Sequence, residues 1–177
     1  MHDSIGAALI AISNLMRGGE GSAEEQIEAL RDAVSYFGNP DGAQPQTIVQ
    51  AVSKATSLGV TLHMEGSVPA GGPVEELLAA AAFECAANCI KHAGGSQVFA
   101  RVTQEENAWQ ARFTNDGMPP EKSVTEGGGL SALRKRVEEA GGSMRIESSP
   151  AFALIIKIPK ENPSDGNLIL YDKIVLS

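Results

Sequence analysis

The stretch Glu84-Cys85-Ala86-Ala87-Asn88-Cys89-Ile90-Lys91-His92 decides how the rest of the sequence is read. It lies inside an apolar-rich run from Pro73 to Ala93, bounded by Gly71-Gly72 before and Gly94-Gly95 after. Proline suits the first helical position, where its missing N–H has no partner to lose, and glycine closes helices by adopting left-handed backbone. The run is therefore predicted to be one helix. Leu77, Leu78, Ala81, Cys85 and Ile90 share a broad stripe suited to burial. Glu84, Asn88 and His92 recur at i, i+4 and i+8 and form a polar line along the same helix. Such a line faces water, forms a satisfied hydrogen-bond row against a loop, or lines a site, and spacing alone does not choose between these.

The chain around this helix is that of a globular protein. Its 177 residues suffice for one solid domain or a domain with a small appendage. A hydrophobic fraction of 42% and a charged fraction of 20% are ordinary for such a domain. The net charge of −8 argues against a nucleic-acid surface, because phosphate contacts need clustered Lys and Arg. No run has the length of a membrane-spanning helix, so no direct membrane contact is expected of these residues. The N-terminus carries Asp3 and Asn14 and lacks a basic leader, so it is not read as a signal peptide. Cys85 and Cys89, the two cysteines, are four apart on the predicted helix; they have neither a redox-pair spacing nor enough company for zinc. They are expected to be reduced core residues of a cytoplasmic protein.

Ile5, Leu9, Ile12 and Met16 recur at helical spacing near the N-terminus, and a second stripe follows Ser22 through Ile27, Leu30, Val34 and Phe37. Residues 1–38 are thus predicted to form a helical hairpin with one apolar side on each arm. Gly38-Asn39-Pro40-Asp41-Gly42 is a concentrated linker signal, and a second domain is predicted over 44–160. Within it Thr47 caps a helix, and Val60, Leu62 and Met64 alternate with Thr61, His63 and Glu65 as a strand that turns His63 to solvent. After the Pro73–Ala93 helix, 97–103 and 108–114 form a hairpin around Gln104-Glu105-Glu106-Asn107. Trp109 packs on a face of this sheet. A helix from Leu130 to Ala140 ends at Gly141-Gly142, and 143–148 with 152–158 make a last hairpin. Runs of helices and hairpin-linked strands define an α+β sandwich: a mixed, mainly antiparallel sheet with helices on one face. The tail 161–177 is apolar in part and is assigned no role; it reads as an added strand or as a remnant outside the fold.

Two further segments carry chemistry. Gly127-Gly128-Gly129 at a helix start exposes backbone N–H groups, and the helix dipole favours an anion there. Asn115-Asp116-Gly117 places side-chain acceptors beside glycine at a strand end, where they can meet a base edge or simply make a turn. No Walker-type P-loop and no dinucleotide glycine fingerprint is present.

In that order, these three stretches resemble the ATP-binding domain of the GHKL superfamily, and most closely sensor histidine kinases of the NarL and DesK type. Glu84 to Ala93 resembles the family's asparagine box, Asn115-Asp116-Gly117 its first glycine box and Gly127 to Gly142 its second. His2-Asp3-Ser4-Ile5-Gly6 resembles the phosphoacceptor box on the first dimerisation helix, so the resemblance extends from residue 2 to about 159. It implies a Bergerat-type α/β sandwich behind a dimerisation and phosphoacceptor hairpin, and a fragment of a longer receptor.

The resemblance also implies roles. Asn88 would supply a side-chain oxygen to Mg²⁺, and Glu84 would orient a metal-bound water or act as a base. Lys91 and His92 would contact phosphate or ribose oxygens of ATP. Asn115, Asp116 and Gly117 would form the base pocket, and Gly127, Gly128, Gly129 and Leu130 the lid over the phosphates. His2 would be the phosphorylated nucleophile, with Asp3 polarising the imidazole or taking its proton. A response regulator receiver domain, of NarL type by resemblance, would receive the phosphoryl group, and the longer protein would be a homodimer. Two positions depart from the family pattern: Asn115 stands where an aspartate is usual, and Pro119 where a glycine is usual. Neighbours on a strand face opposite sides, which sets Asp116 against pointing the same way as Asn115. Other readings are an anti-sigma-factor-like serine kinase, and a degenerate module that only dimerises or binds partners.

Overall fold

Thr47 starts the first helix that the structure describes. Its hydroxyl accepts the Gln50 N–H at 3.2 Å, and α1 (Ile48–Ser57) follows with Ile48, Ala51 and Ala55 buried. The structure, a computed structural model, describes residues 44–120, 124, 128–160 and 168–176. The expectations for His2, Asp3, Gly127 and the hairpin of residues 1–38 lie outside those residues. Contacts divide the chain between Ala43 and Gln44, and the unit described is Gln44–Ser177.

Period-two patterning becomes strand wherever it was expected: β1 (Thr61–Pro69), β2 (Gln97–Gln104), β3 (Ala108–Asn115), β4 (Ser143–Glu147) and β5 (Ala153–Pro159). Val98, Ala100 and Val102 turn inward from β2, as do Trp109, Ala111 and Phe113 from β3 and Leu154, Ile156 and Ile158 from β5. The intervening residues Phe99, Arg101 and Arg112 are exposed on the other face. The tail adds β6 (Leu168–Leu176), and the sheet order is β4-β5-β3-β2-β1-β6. β1 and β2 run parallel, joined by the long helix, and all other neighbours are antiparallel. The expected mixed, mainly antiparallel sheet with helices on one face is therefore present.

The tail takes the first of its two readings, an added strand. Separated from the sandwich in sequence, it is part of the sheet: residues from Leu168 to Leu176 pair antiparallel with β1 from Pro69 back to Leu62, and Tyr171 is buried. No pattern inside the tail indicates which edge it joins, because that depends on β1 being otherwise an open edge.

α2 (Gly72–Asn88) packs across β1, β2 and β3, with α1 on one side and α3 (Gly128–Glu139) on the other. It is more buried than the predicted stripe: Val74 and Glu75 and every residue from Leu77 to Phe83 are buried, as are Cys85, Ala86 and Ala87. Six alanines in that stretch bring its backbone close to the sheet. The helix does not run as α-helix to Ala93. Cys89–Ala93 form one π-helical turn, closed by Gly94 in left-handed conformation (φ 62°). Ile90 is half-buried and does not continue the stripe. Widened turns of this kind are frequent at functional sites. Among the described residues no helix is long and apolar enough to cross a membrane.

Among the described residues, one charged side chain lies inside the core. Glu75 is 4% exposed; its Oε1 accepts the Ile48 N–H at 3.1 Å and its Oε2 the Gly71 N–H at 2.6 Å. These are unpaired donors of the first turns of α1 and α2, so one carboxylate caps two helices and fixes them side by side. Burial, and then the Glu75 charge, push the Tyr171 phenol upward, which places β6 in the same cluster. Removing the carboxylate strands two donors away from water, at about 1–3 kcal/mol each. Glu75→Ala is expected to lose roughly 2–4 kcal/mol in urea unfolding, and Glu75→Gln, which keeps one acceptor, about half of that; a Glu75→Ala variant with unchanged stability would contradict the capping role.

Candidate functional site

The polar line of α2 faces a cleft of about 570 Å³. Glu84, Asn88, Lys91 and His92 form one wall. Gly128, Gly129 and Leu130 at the start of α3 line it as well, as do Asn115 at the end of β3, Met118, Pro120, Val124 and Phe152. Three stretches separated by up to 46 positions in sequence, from Glu84 to Leu130, thus share one concavity. Its walls are mostly apolar with a few convergent polar groups, the usual make-up of a small-molecule site.

Glu84 and Asn88 act as a unit. Asn88 Nδ2 donates to Glu84 Oε1 at 3.1 Å, the i, i+4 contact that helical spacing allows. With its NH₂ so committed, Asn88 keeps Oδ1 as its remaining acceptor. Glu84 is half-buried. Desolvation raises its pKa above the ordinary carboxylate value, against the lowering effects of the Asn88 hydrogen bond and of the charges of Lys91 and His92. The Glu84 carboxylate lies directly against the α-carbon of Gly129, where a β-carbon would overlap it. The glycine run at the start of α3 therefore serves close approach to α2, beyond any looseness it confers.

The far end of the π turn is clasped to the end of β3. Met118 N–H donates to Ala93 O at 2.9 Å, and Gly117 lies so close to Ala93 that a β-carbon would fall 2.6 Å from that carbonyl oxygen. Asp116 points away from the cleft. Its Oδ1 accepts the N–H groups of Ser96 and Gln97, both at 2.8 Å, and its Oδ2 accepts from Gln97 Nε2 at 3.3 Å. Burial works to raise the Asp116 pKa, but the Gln97 and Ser96 N–H groups outweigh it and hold it below the ordinary value. Asn115 faces the cleft, and its Oδ1 accepts the Gly117 N–H at 3.1 Å.

Of the residues expected at a site, the structure brings together Glu84, Asn88, Lys91, His92, Asn115, Gly128, Gly129 and Leu130. Two are not on the cleft wall. Asp116, one residue past β3, serves as an acceptor for the start of β2. Gly117 lies behind the wall as a packing glycine. Met118, Pro120, Val124 and Phe152 line the cleft without having been singled out; their apolar type in loops carried no signal. His63 is not freely solvated: its Nε2 is 3.0 Å from Gln97 Oε1 and its ring stacks on Phe99 at 4.7 Å. Cys85 and Cys89 are free and buried, and burial followed by the Asp116 charge pushes the Cys89 thiol up to about 11, so both act as packing residues. Among the described residues no group of three or more His, Cys, Asp or Glu side chains could hold a metal ion. A metal here would be held by Asn88 Oδ1 with Glu84, together with oxygens of a ligand and water. Mg²⁺ accepts such a partial protein shell.

No family model matches the sequence. The fold resembles that of the histidine kinase domain of the Erythrobacter litoralis EL346 blue-light activated histidine kinase. That match has a TM-score of 0.50 and 16% identity, covering 86% of this chain and 82% of that one. The Acinetobacter baumannii histidine kinase AdeS gives a TM-score of 0.50 and 13% identity over 91% of this chain and 97% of that one. The described unit thus shares its fold with those two histidine kinase domains. In sequence, the chain is 26% identical over 142 residues to the sensor histidine kinase YxjM of Bacillus subtilis (strain 168), which covers 77% of this chain. The chain spans 35% of the length of that curated relative.

A carboxylate with a raised folded-state pKa binds its proton more tightly folded than unfolded, so its contribution to stability falls as pH rises from about 4.5 through the folded value. Above that window the ionised Glu84 destabilises the fold. Glu84→Gln retains the acceptor for Asn88 and removes the charge. It is expected to be more stable than the parent at pH 7, with the difference shrinking as pH falls from the raised folded value toward about 4.5 and constant below that; chemical denaturation at a series of pH values measures this. A difference independent of pH would show that Glu84 is not held desolvated.

Proposed function

We propose that residues 44–160 are the ATP-binding catalytic domain of a protein-histidine kinase in two-component signalling, preceded by a dimerisation and phosphoacceptor hairpin over 1–38. One observation carries this reading: the Glu84–Asn88 pair on a buried helix faces the glycine start of α3 across a cleft that Asn115 also lines. A triphosphate brings clustered negative charge, and the N–H groups at the start of α3, the helix dipole and the side chains of Lys91 and His92 would meet it. Bound Mg²⁺ would neutralise part of that charge and hold the phosphates in line for transfer. Asn88 Oδ1 would hold the ion. Glu84, whose desolvation raises its basicity, would hold a water or accept a proton.

In the transfer, a neutral imidazole nitrogen of His2 would form a bond to the terminal phosphorus as the bond to the ADP oxygen breaks. The imidazole proton would pass to Asp3 or to water. The phosphoryl group would then move to an aspartate of a response regulator receiver domain, of NarL type by the resemblance above. Two hairpins from a homodimer would supply the four helices that bury both apolar stripes. The intact protein would act at the cytoplasmic side, with or without a membrane anchor beyond these residues.

Because a ligand that binds only the native state raises its stability, Mg-ATP at a hundredfold excess over Kd is expected to raise the melting temperature by roughly 5–10 °C. Asn88→Ala is expected to weaken Mg-dependent nucleotide binding roughly tenfold or more. With ATP labelled on the terminal phosphate, an acid-labile label absent from His2→Gln is the expected result. An acid-stable label on an added protein would indicate a serine kinase instead, and no stabilisation at millimolar Mg-ATP would leave a dimerisation or binding module.

A further inference from the structure

We propose that the open face of the sheet, opposite the helices and the cleft, docks an acidic segment of a partner protein through a row of arginines. Strand register sets the row. Glu65 on β1 lies beside Arg101 on β2, and Arg101 beside Arg112 on β3. Arg112 lies beside Ile155 on β5, and Ile155 beside Arg145 on β4. Residues paired across strands in this way share one face of the sheet. Among the described residues nothing covers the row, since Arg101, Arg112 and Arg145 are all exposed. Three arginines thus stand in line on a chain whose net charge is −8.

Their neighbours do not neutralise them. Glu65 holds Arg101 at 2.9 Å, while Glu147 holds both Arg112 at 2.8 Å and Arg145 at 3.0 Å. Two carboxylates therefore serve three guanidinium groups. Arg101 and Arg112 are also directly opposite each other, and like charges so placed destabilise a strand pair. A concavity of about 540 Å³ lies over this pair, with the two arginines, His63 and Phe99 on its wall. An anion entering it would accept charge-assisted hydrogen bonds from two guanidinium groups at once and relieve their repulsion.

The aromatic wall favours a protein over a nucleic acid as the occupant. His63 and Phe99 are stacked with ring centroids 4.7 Å apart, and Phe99 is 41% exposed. One face of each ring is already taken, so the pair offers an apolar edge to a side chain rather than a free platform to a base. Three strand spacings of about 4.8 Å put Arg145 roughly 14 Å from Arg101, the reach of about four extended residues. An acidic segment with one aromatic or aliphatic residue beside its carboxylates meets all of these groups. A continuous phosphate backbone would run on past the row, onto a chain of net negative charge.

The test is fluorescence anisotropy of labelled polyglutamate, of a random glutamate–tyrosine copolymer and of oligodeoxythymidylate with the full 177-residue chain, at low and at physiological salt. The chain is expected to bind the copolymer more tightly than polyglutamate, and to lose affinity as salt rises. Arg101→Ser combined with Arg112→Ser is expected to weaken copolymer binding roughly tenfold. Phe99→Ser is expected to abolish the preference over polyglutamate. Glu65→Gln removes a competing carboxylate and is expected to tighten binding severalfold, a gain that misfolding does not produce; melting temperatures check the folding of every variant. Absence of copolymer binding at low salt, or binding unchanged by the double arginine substitution, would overturn the docking face. Tighter binding of oligodeoxythymidylate than of the copolymer, lost in the same double variant, would assign the row to nucleic acid and overturn the acidic protein partner.

Discussion

A helix pressed onto a sheet along nearly its whole length has few places for polar side chains, and α2 is such a helix. From Val74 to Ala87 its surface meets the sheet, α1 and α3, and alanine dominates wherever the approach is close. Glu84 and Asn88 are the polar residues of its second half, and each is costly there unless it has a partner. They satisfy one another through the 3.1 Å amide-to-carboxylate bond, and what remains unsatisfied points into the cleft. Burial of the helix and chemistry of the site are thus one constraint. The close packing that desolvates Glu84 also holds it within reach of the α3 start, because Gly129 has no side chain to intervene.

The opposite end of the helix is governed by Glu75. Its two oxygens cap the first turns of α1 and α2 together, so the helix layer is fixed at that end by hydrogen bonds and along its length by packing. At the cleft end the fixing groups are backbone and glycine: the Met118–Ala93 bond, the Gly117 contact and the Asp116 clasp on the start of β2. The π turn at Cys89–Ala93 lies between these restraints. Lys91, His92 and Ala93 of this turn lie on the cleft wall with Glu84 and Asn88.

Much of this was legible in the residues. Strand alternation and glycine punctuation located α2, the two hairpins and α3 to within a few residues, because those signals are local. Glu84 and Asn88 were visible as a spacing, and their shared wall with Gly128 and Gly129 as an order of motifs. What escaped depended on distant partners. Glu75 carries no mark of burial in the sequence, and only α1 packed beside it makes it a buried double cap. Asp116 and Asn115 are adjacent letters, and only the folded chain assigns one to the clasp and one to the cleft. β6 carried strand-forming residues but no mark of its destination, since the open edge of β1 lies about a hundred residues earlier.

An acidic chain with a site suited to a polyanion is a consistent combination at these distances. Charges on a protein surface are screened over roughly 8 Å at physiological salt, so the −8 net charge acts weakly on a ligand inside the cleft. The local groups decide. Lys91, His92 and the start of α3 lie on the cleft wall, whereas Asp116, the carboxylate adjacent to Asn115 in sequence, is turned outward and already holds two N–H groups. The exception is Glu84, whose charge would oppose an anion, and its raised pKa shows that the fold already resists ionising it. A cation shared between Asn88 and Glu84, as proposed above, would relieve that penalty and supply the missing positive charge at one position. The same desolvation that costs stability without a ligand would then strengthen the site for a ligand that arrives with its metal.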